Sequence, residues 1–419
     1  MRVLISGGGI AGPSLAWFLA KTGAHVTVLE RAAALLPHGQ NVDLQGSGIS
    51  VIKKMGLMDE VRRANTTEKG TRFIDPKGRP FAPLPVQEGE KASVSFSSQF
   101  EILRGDLAAI LYKASKDLPN VEYLLGTTVK EVISNNEAVK VSLSNGETQE
   151  YDLLVAADGQ WSRLRKKCFP PDSITVVHKG MYAAYFTIPR LPIDDEWWSI
   201  YHGLQSRTIT LRPDPHGTTR AMFTIMPLNE AQEKAWMEAG KSDRQTQEAL
   251  VRSEFANAGW QAKRLLDAMP QAPDFYFHVI QQIKMTKWSN GRIICLGDTA
   301  FAPSPLTGMG TTLAVVGGYV LAGELSALKS GEHPTKAFQA YENKFRPFVE
   351  EYQKVPWLFP GFIHPASGWK RWLLQNFISV FAKVGTIPWV ASNIFGDNVN
   401  DDQGFPLPQY PAFEKDGSE

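Results

Sequence analysis

The sequence has only two cysteines, Cys168 and Cys295, in 419 residues. They lie far apart, and Cys295 sits inside an apolar run, the setting of a plain buried thiol. No disulfide framework follows, and a reducing compartment is expected. An excess of one charge is also missing. The 44 basic and 43 acidic residues leave a net charge of +1, which gives no reason to expect a polyanionic partner such as nucleic acid. Long apolar runs are absent. The best candidate, residues 372–384, carries Gln375, Asn376, Ser379 and Lys383 and is too short and polar to span a bilayer. The eight histidines show no metal-ligand spacing, so no metal site is expected. There is no internal repeat and no low-complexity tract. The first apolar run begins at Val3, leaving no room for a targeting segment, so the cytoplasm is the expected location. A hydrophobic content of 43% and a charged content of 21% suit a soluble globular chain, and the length allows two or three domains.

What is present begins at once. Val3-Leu4-Ile5 reads as a buried strand. Gly7, Gly9 and Gly12 follow at G-x-G-x-x-G spacing. Gly7 permits a tight turn, Gly9 lets a pyrophosphate approach the backbone, and Gly12 lets the next helix lie close to the strand. Leu15, Ala16, Leu19 and Ala20 give that helix a buried face. Pro13 is tolerated in its first turn. Val26, Val28 and Leu29 form a second strand ending in Glu30. A carboxylate about 20 residues past the glycines accepts ribose hydroxyls. It would repel a 2′-phosphate, so the site suits FAD or NAD better than NADP. The alternative is a glycine turn in some other α/β protein.

Further along, residues 31–48 read as loop with a short extended piece at Asn41 to Leu44. Residues 49–64 read as helix interrupted at Gly56. Strands and a hairpin near Pro76-Lys77-Gly78 are expected over residues 71–100. A helix opens in the Phe100-Glu101-Ile102-Leu103-Arg104-Gly105-Asp106-Leu107 run, with Asp106 as its cap, and continues to Lys116. Short strands are expected over 121–125, 129–133 and 139–143, with a hairpin at Asn145-Gly146. The buried run of residues 151–157 leads into Asp158-Gly159. Alternating strands, one containing Tyr182, fill the first half of residues 173–278, and one helical stretch spans 231–269. No second nucleotide signature occurs there. Residues 292–298 form another buried strand, and Gly308 and Gly310 lead into a helix over 311–328. Phe338, Tyr341, Phe345, Phe348 and Tyr352 mark one helix face, which Pro347 should kink. The tryptophans 357, 369, 372 and 389 are expected to pack across both domains, and the end after Pro406 to be loose.

Three separated motifs carry chemistry. They are Gly7-x-Gly9-x-x-Gly12 with Glu30, Asp158-Gly159-x-x-Ser162-x-x-Arg165, and Gly297-Asp298-Thr299-Ala300 with Pro305-x-x-Gly308-x-Gly310. In this order they resemble the class A flavoprotein aromatic monooxygenases of the para-hydroxybenzoate hydroxylase fold. The nearest branch is that of the tetracycline-inactivating monooxygenases and related natural-product hydroxylases. The resemblance covers roughly residues 1–170 and 285–355. It implies an α/β fold: a Rossmann-like FAD-binding domain (1–72, 101–172, 285–330), an interleaved mixed-sheet substrate domain (73–100, 173–284) and C-terminal helices (331–419). Gly7, Gly9, Gly12, Glu30, Arg31, Asp43, Arg104, Asp158, Asp298, Pro305, Gly308, Gly310 and Thr311 are its cofactor-binding candidates. Tyr182 is the substrate-pocket candidate. Asp298 would accept hydrogen bonds from ribityl hydroxyls, or act only as a helix cap. The helix after Gly308 and Gly310 would offer its positive end to the reduced flavin. Asp158 needs neutralising by Arg165 or by backbone amides.

Phe301 stands where many relatives carry His, and Thr312 and Gly317 where many carry Asn and Asp. The absence of a second dinucleotide signature implies that NADPH or NADH binds briefly at the surface. No Trp-x-Trp-x-Ile-Pro run is present, which disfavours halogenation. The resemblance implies that NAD(P)H reduces FAD, that O2 adds at the flavin C4a, and that the hydroperoxide oxygenates an aromatic or polycyclic small molecule. No side chain is required as a nucleophile. A monomer is expected. An oxidase or dehydrogenase on the same fold, or a non-catalytic carrier, are the alternatives.

Overall fold

The computed structural model describes residues 1–35, 39–66, 68–86, 100–355, 359–385 and 404–414. Its first sheet has six strands in the order Ser289–Asn290, Ile293–Cys295, Leu153–Ala156, Arg2–Ser6, His25–Glu30 and Val121–Leu125. All neighbours run parallel except the first pair. Val3, Leu4 and Ile5 are completely buried, as a strand covered on both faces requires. The helix Ala11–Lys21 packs on the helix Gly310–Ser326, burying Leu15, Phe18 and Leu19. Each such side chain stabilises the fold by about 2 kcal/mol. A three-stranded antiparallel meander over residues 129–151 is appended to this layer, with Gly146 at φ 94° in its turn.

The second sheet has seven strands, in the order Tyr276–Met285, Ile174–Pro189, Thr218–Ile225, Arg207–Pro213, Trp197–His202, Gly70–Ile74 and Pro80–Pro85. Only the Trp197–His202 and Gly70–Ile74 pair is parallel. The expected division at 72/73 falls inside the Gly70–Ile74 strand, so residues 70–72 sit with this sheet. One face buries Ile74, Tyr182, Phe186, Tyr201 and Phe223 under three helices. On the other face Met181, Ala183, Tyr185 and Ile280 pack with Leu306.

Several local expectations change. The stretch 231–269 is three helices, Glu230–Ala239, Arg244–Phe255 and Ala262–Ala268. Asp243 caps the second, accepting the Thr246 amide at 2.9 Å, and Gly259 at φ 89° breaks the chain before the third. Asp106 is not a cap. The Glu101–Leu103 strand runs directly into the Arg104–Lys116 helix, Leu103 occupies the cap position, and Asp106 meets His216 at 2.9 Å. Residues 404–414 are docked: Tyr410 donates to Glu324 at 2.6 Å, and Tyr319 donates to the Pro408 carbonyl at 2.6 Å. Trp369 and Trp372 are each 66% exposed and do not bridge domains. Trp357 and Trp389 lie outside the described residues.

Candidate functional site

The glycine turn is locked by close approaches that only glycine allows. A Cβ on Gly12 would lie 2.0 Å from the Gly7 carbonyl oxygen, and one on Gly7, at φ 126°, would lie 2.2 Å from that of Ala157. The first motif therefore presses on the second. Gly9 differs, because its nearest neighbour would be Arg104 Nη2 at 3.9 Å. Its backbone is open on the side where a phosphate would come. Glu30 accepts the amides of Gly8 at 3.0 Å and Ala32 at 2.9 Å, while Arg31 is exposed beside it. No side chain caps the following helix, whose first N–H groups are left for another acceptor.

The second and third motifs are stitched together by two residues. Thr299 Oγ1 accepts the Gly159 amide at 2.8 Å and lies 3.5 Å from Asp158 Oδ1. Arg165 is buried and donates to the carbonyls of Thr299 at 2.7 Å and Gln160 at 2.6 Å. Its guanidinium thus braces both loops and makes no direct pair with Asp158. Ser162 caps its short helix by accepting the Arg165 amide.

Asp298 opens a one-turn helix after Gly297, which occupies the cap position at φ 62°; its carboxylate makes no capping bond. It is solvent-exposed, yet protein surrounds it, as on the floor of an open cleft. Desolvation raises its pKa, while Arg104 and Arg165 pull it down. Gly310 faces it, with a Cβ position 3.7 Å from Asp298 Oδ1. Across from them, Asp43 Oδ2 lies 3.5 Å from the Cβ position of Gly308. The turn Pro305–Thr307 between these groups is entered through Ser304 at φ 84°, a conformation that strains a non-glycine residue. Pro305 is exposed and Thr311 buried. The helix Gly310–Ser326 again has no side-chain cap, so its first N–H groups are left for another acceptor. Thus Gly9 lies beside Arg104, Arg104 acts on Asp298, and the Gly308–Gly310 turn runs between Asp43 and Asp298.

The residues that depart from the relatives' pattern serve packing. Phe301 lies against Trp288 at 4.7 Å and Phe345 at 5.7 Å. A Cβ on Gly317 would meet the Tyr341 hydroxyl at 3.1 Å, so aspartate has no room there. Thr312 accepts the Gln45 amide at 3.1 Å, tying the glycine-led helix to the Asp43 loop.

Tyr182 is not placed at this groove. It is 1% exposed and packs on Trp236 at 5.6 Å, on the helix-covered face. Successive strand residues point to opposite faces, so its neighbours Met181, Ala183 and Tyr185 face the other way, toward Leu306 of the strained turn. Tyr185 stands beside Met222, which pairs with Thr210, which pairs with Ile200. These residues lie on one face of the sheet, with Tyr185 near Leu306 and Ile200 packed against the cluster of Phe73, Leu84 and Leu374.

The same sheet holds a group that no sequence motif marks. Arg212 stacks on Trp198 at 4.0 Å and donates to Glu68 at 2.7 and 3.0 Å. It also pairs with Glu101, which lies opposite Asp43 in a two-stranded ladder. Burial raises the Glu101 pKa well above the carboxylate range, against the pull of Arg212. Burial opposes charge on Arg212, but Glu101 and Glu68 keep it firmly protonated. The partners come from two strands and a loop far apart in the chain, so no spacing could reveal them. Near the rim, Gln160 meets His278 Nε2 at 2.7 Å. Burial lowers the His278 pKa to about 4. Among the described residues no cluster could hold a metal ion, and no helix is long and apolar enough to cross a membrane.

A Rossmann-like layer, a facing mixed sheet and a groove built from three distant glycine-acid motifs define an FAD-dependent monooxygenase. The chain belongs to the family described as FAD binding domain, whose model matches residues 1–354. Monooxygenase CTB7 of Cercospora beticola is 37% identical over 98% of this chain and 97% of its own length. FAD-dependent monooxygenase asL6 of Sarocladium schorii is 34% identical over 88% of this chain and 89% of its own. The crystal structure of tetracycline destructase Tet(51) superposes with a TM-score of 0.78 at 27% identity, covering 98% of this chain and 99% of that one.

Proposed function

We propose that this enzyme oxygenates a flat aromatic or polycyclic small molecule held between the groove and the Tyr185–Met222–Ile200 wall. FAD, once reduced by NAD(P)H, would supply the chemistry that activates O2. The residues fit that group: Gly9 leaves open backbone beside Arg104, and the helices after Gly9 and after Gly308 have no side-chain cap at their N-termini. Gly7, Gly9 and Gly12 would hold the pyrophosphate, with Arg104 and Asp158 near it. Glu30 and Arg31 would hold the adenosine. Asp298 would accept hydroxyl hydrogen bonds. Asp43, Pro305, Gly308, Gly310 and Thr311 would frame the ring system, where the helix end stabilises negative charge. The apolar wall would exclude water and orient the substrate.

The observation that supports this reading is the closeness of Asp298 to Gly310 and to the charge of Arg104. Tet(51) is named for tetracycline, which supports a fused-ring substrate class. We further place the enzyme in the cytoplasm as a monomer, with NADPH bound only transiently. The domain division follows the sheets, residues 173–284 forming the main substrate-side segment. Substrate-stimulated NADPH oxidation with a labelled oxygen atom from ¹⁸O2 in the product is the expected result. Turnover without incorporated label would instead indicate an oxidase or dehydrogenase.

A further inference from the structure

The helix Gly368–Gly385 is apolar on two opposite sides. Its inner stripe, Leu374, Ile378 and Ala382, is buried against Phe73 and Leu84 at the edge of the seven-stranded sheet. Its outer stripe is Trp369, Trp372, Leu373, Phe377 and Val380, between 54% and 66% exposed. Those positions follow the steps of three and four that align side chains on one helix face. Phe362, 53% exposed, extends the stripe, its ring 5.5 Å from that of Phe377. Asn376, the polar residue within the stripe, donates to the Trp372 carbonyl at 2.8 Å and so turns back onto its own helix. A helix that is apolar all round is ordinarily covered all round. The two tryptophans and two phenylalanines alone leave on the order of several hundred Å² of contiguous apolar surface, the size that marks an interaction site.

Charge identifies what covers it. Between Glu351 and Asp397 the chain carries no acid, although 43 of its 419 residues are acidic. Within the same helix stand Lys370, Arg371 and Lys383, with Lys370 Nζ 5.8 Å from the Trp369 ring centre. Exposed tryptophans set among cations are the composition of a segment lying in a membrane interface, rings at the acyl boundary and cations at the phosphates. We propose that this helix docks the enzyme flat on an anionic phospholipid bilayer, without crossing it. A hydrophobic ring substrate dissolved in that bilayer would then lie close to the sheet whose edge the helix covers.

The test uses full-length, FAD-loaded protein and co-sedimentation with vesicles. One set is phosphatidylcholine alone, and the other contains roughly one-third phosphatidylserine. Wild type should partition at least about tenfold more strongly onto the anionic vesicles. The combined variant Trp369→Ser, Trp372→Ser, Phe377→Ser should lose binding to both sets. Lys370→Glu with Arg371→Glu should abolish the preference for anionic vesicles. Four of the five side chains are exposed and Arg371 is half-buried, so unchanged far-UV dichroism with retained FAD is required of each variant to establish folding. Wild type left in the supernatant overturns the proposal, as does binding that ignores both variants. A dimer that does not bind vesicles, and that the tryptophan variant makes monomeric, would assign the face to a second copy and also overturn it.

Discussion

Arg165 donates to the carbonyl of Thr299 at 2.7 Å across 134 residues of sequence. With its second bond to Gln160, this buried guanidinium fixes the Asp158 loop against the Asp298 loop. Arg165→Ala should cost about 3 kcal/mol, because two buried carbonyls lose their donor. Arg165→Lys should recover only part of this, since one ammonium cannot fork to both. Urea unfolding measures the loss, and flavin fluorescence titration should show weakened FAD binding in both variants.

Two glycines near the N-terminus should respond differently to the same change. Gly12→Ala places a methyl group 2.0 Å from a carbonyl oxygen and should abolish FAD retention on purification. Gly23→Ala meets nothing within 4 Å but keeps φ at 81°, so it should cost about 1 kcal/mol and leave FAD bound. The absorbance ratio of flavin to protein separates the two outcomes.

On the second sheet, Tyr185→Ala should raise the KM for substrate several-fold with FAD affinity unchanged, because Tyr185 lies with Leu306 of the turn that precedes Gly308. Tyr182→Ala should instead lower stability by about 3 kcal/mol through a cavity beside Trp236. Thermal unfolding and steady-state kinetics on both variants distinguish a wall residue from a core residue.

Removing Arg212 should be more damaging than its partly exposed position suggests. Arg212→Met leaves Glu68 and Glu101 buried without their cation, a loss of about 3–5 kcal/mol. Adding Glu68→Gln should restore a measurable part of that loss. A double-variant cycle in urea gives the coupling.

Acid should destabilise the protein through buried histidines. Burial lowers the pKa of His202 to about 3 and of His364 to about 4. His364 is held neutral between the Thr224 hydroxyl and the Pro360 carbonyl. With both folded values below the ordinary 6.5, the unfolded chain binds protons first as pH falls. Stability is therefore full above pH 6.5 and declines below it, by about 1.4 kcal/mol per pH unit for each histidine. The decline from His364 ends near its folded value, and that from His202 runs lower. His364→Gln should flatten the urea midpoint against pH between about 6.5 and 4 by one such increment.

The sequence by itself determined the backbone machinery. A tight turn, a strand-to-helix entry and a close helix approach each depend on one residue's conformational freedom, so Gly7, Gly12 and Gly297 announced their places. Glu30 at its strand end and Asp298 in the turn after its strand were legible for the same local reason. The tertiary structure decided everything set by which side of a strand faces inward. Tyr182 and Tyr185 are three residues apart in one run of alternating strand, and only the packing of the helices after Glu230 shows which enters the core. Arg212, Glu68 and Glu101 become one charged group only because two strands and the loop before a third converge. Such contacts arise from chain segments meeting in space, and linear spacing holds no record of them.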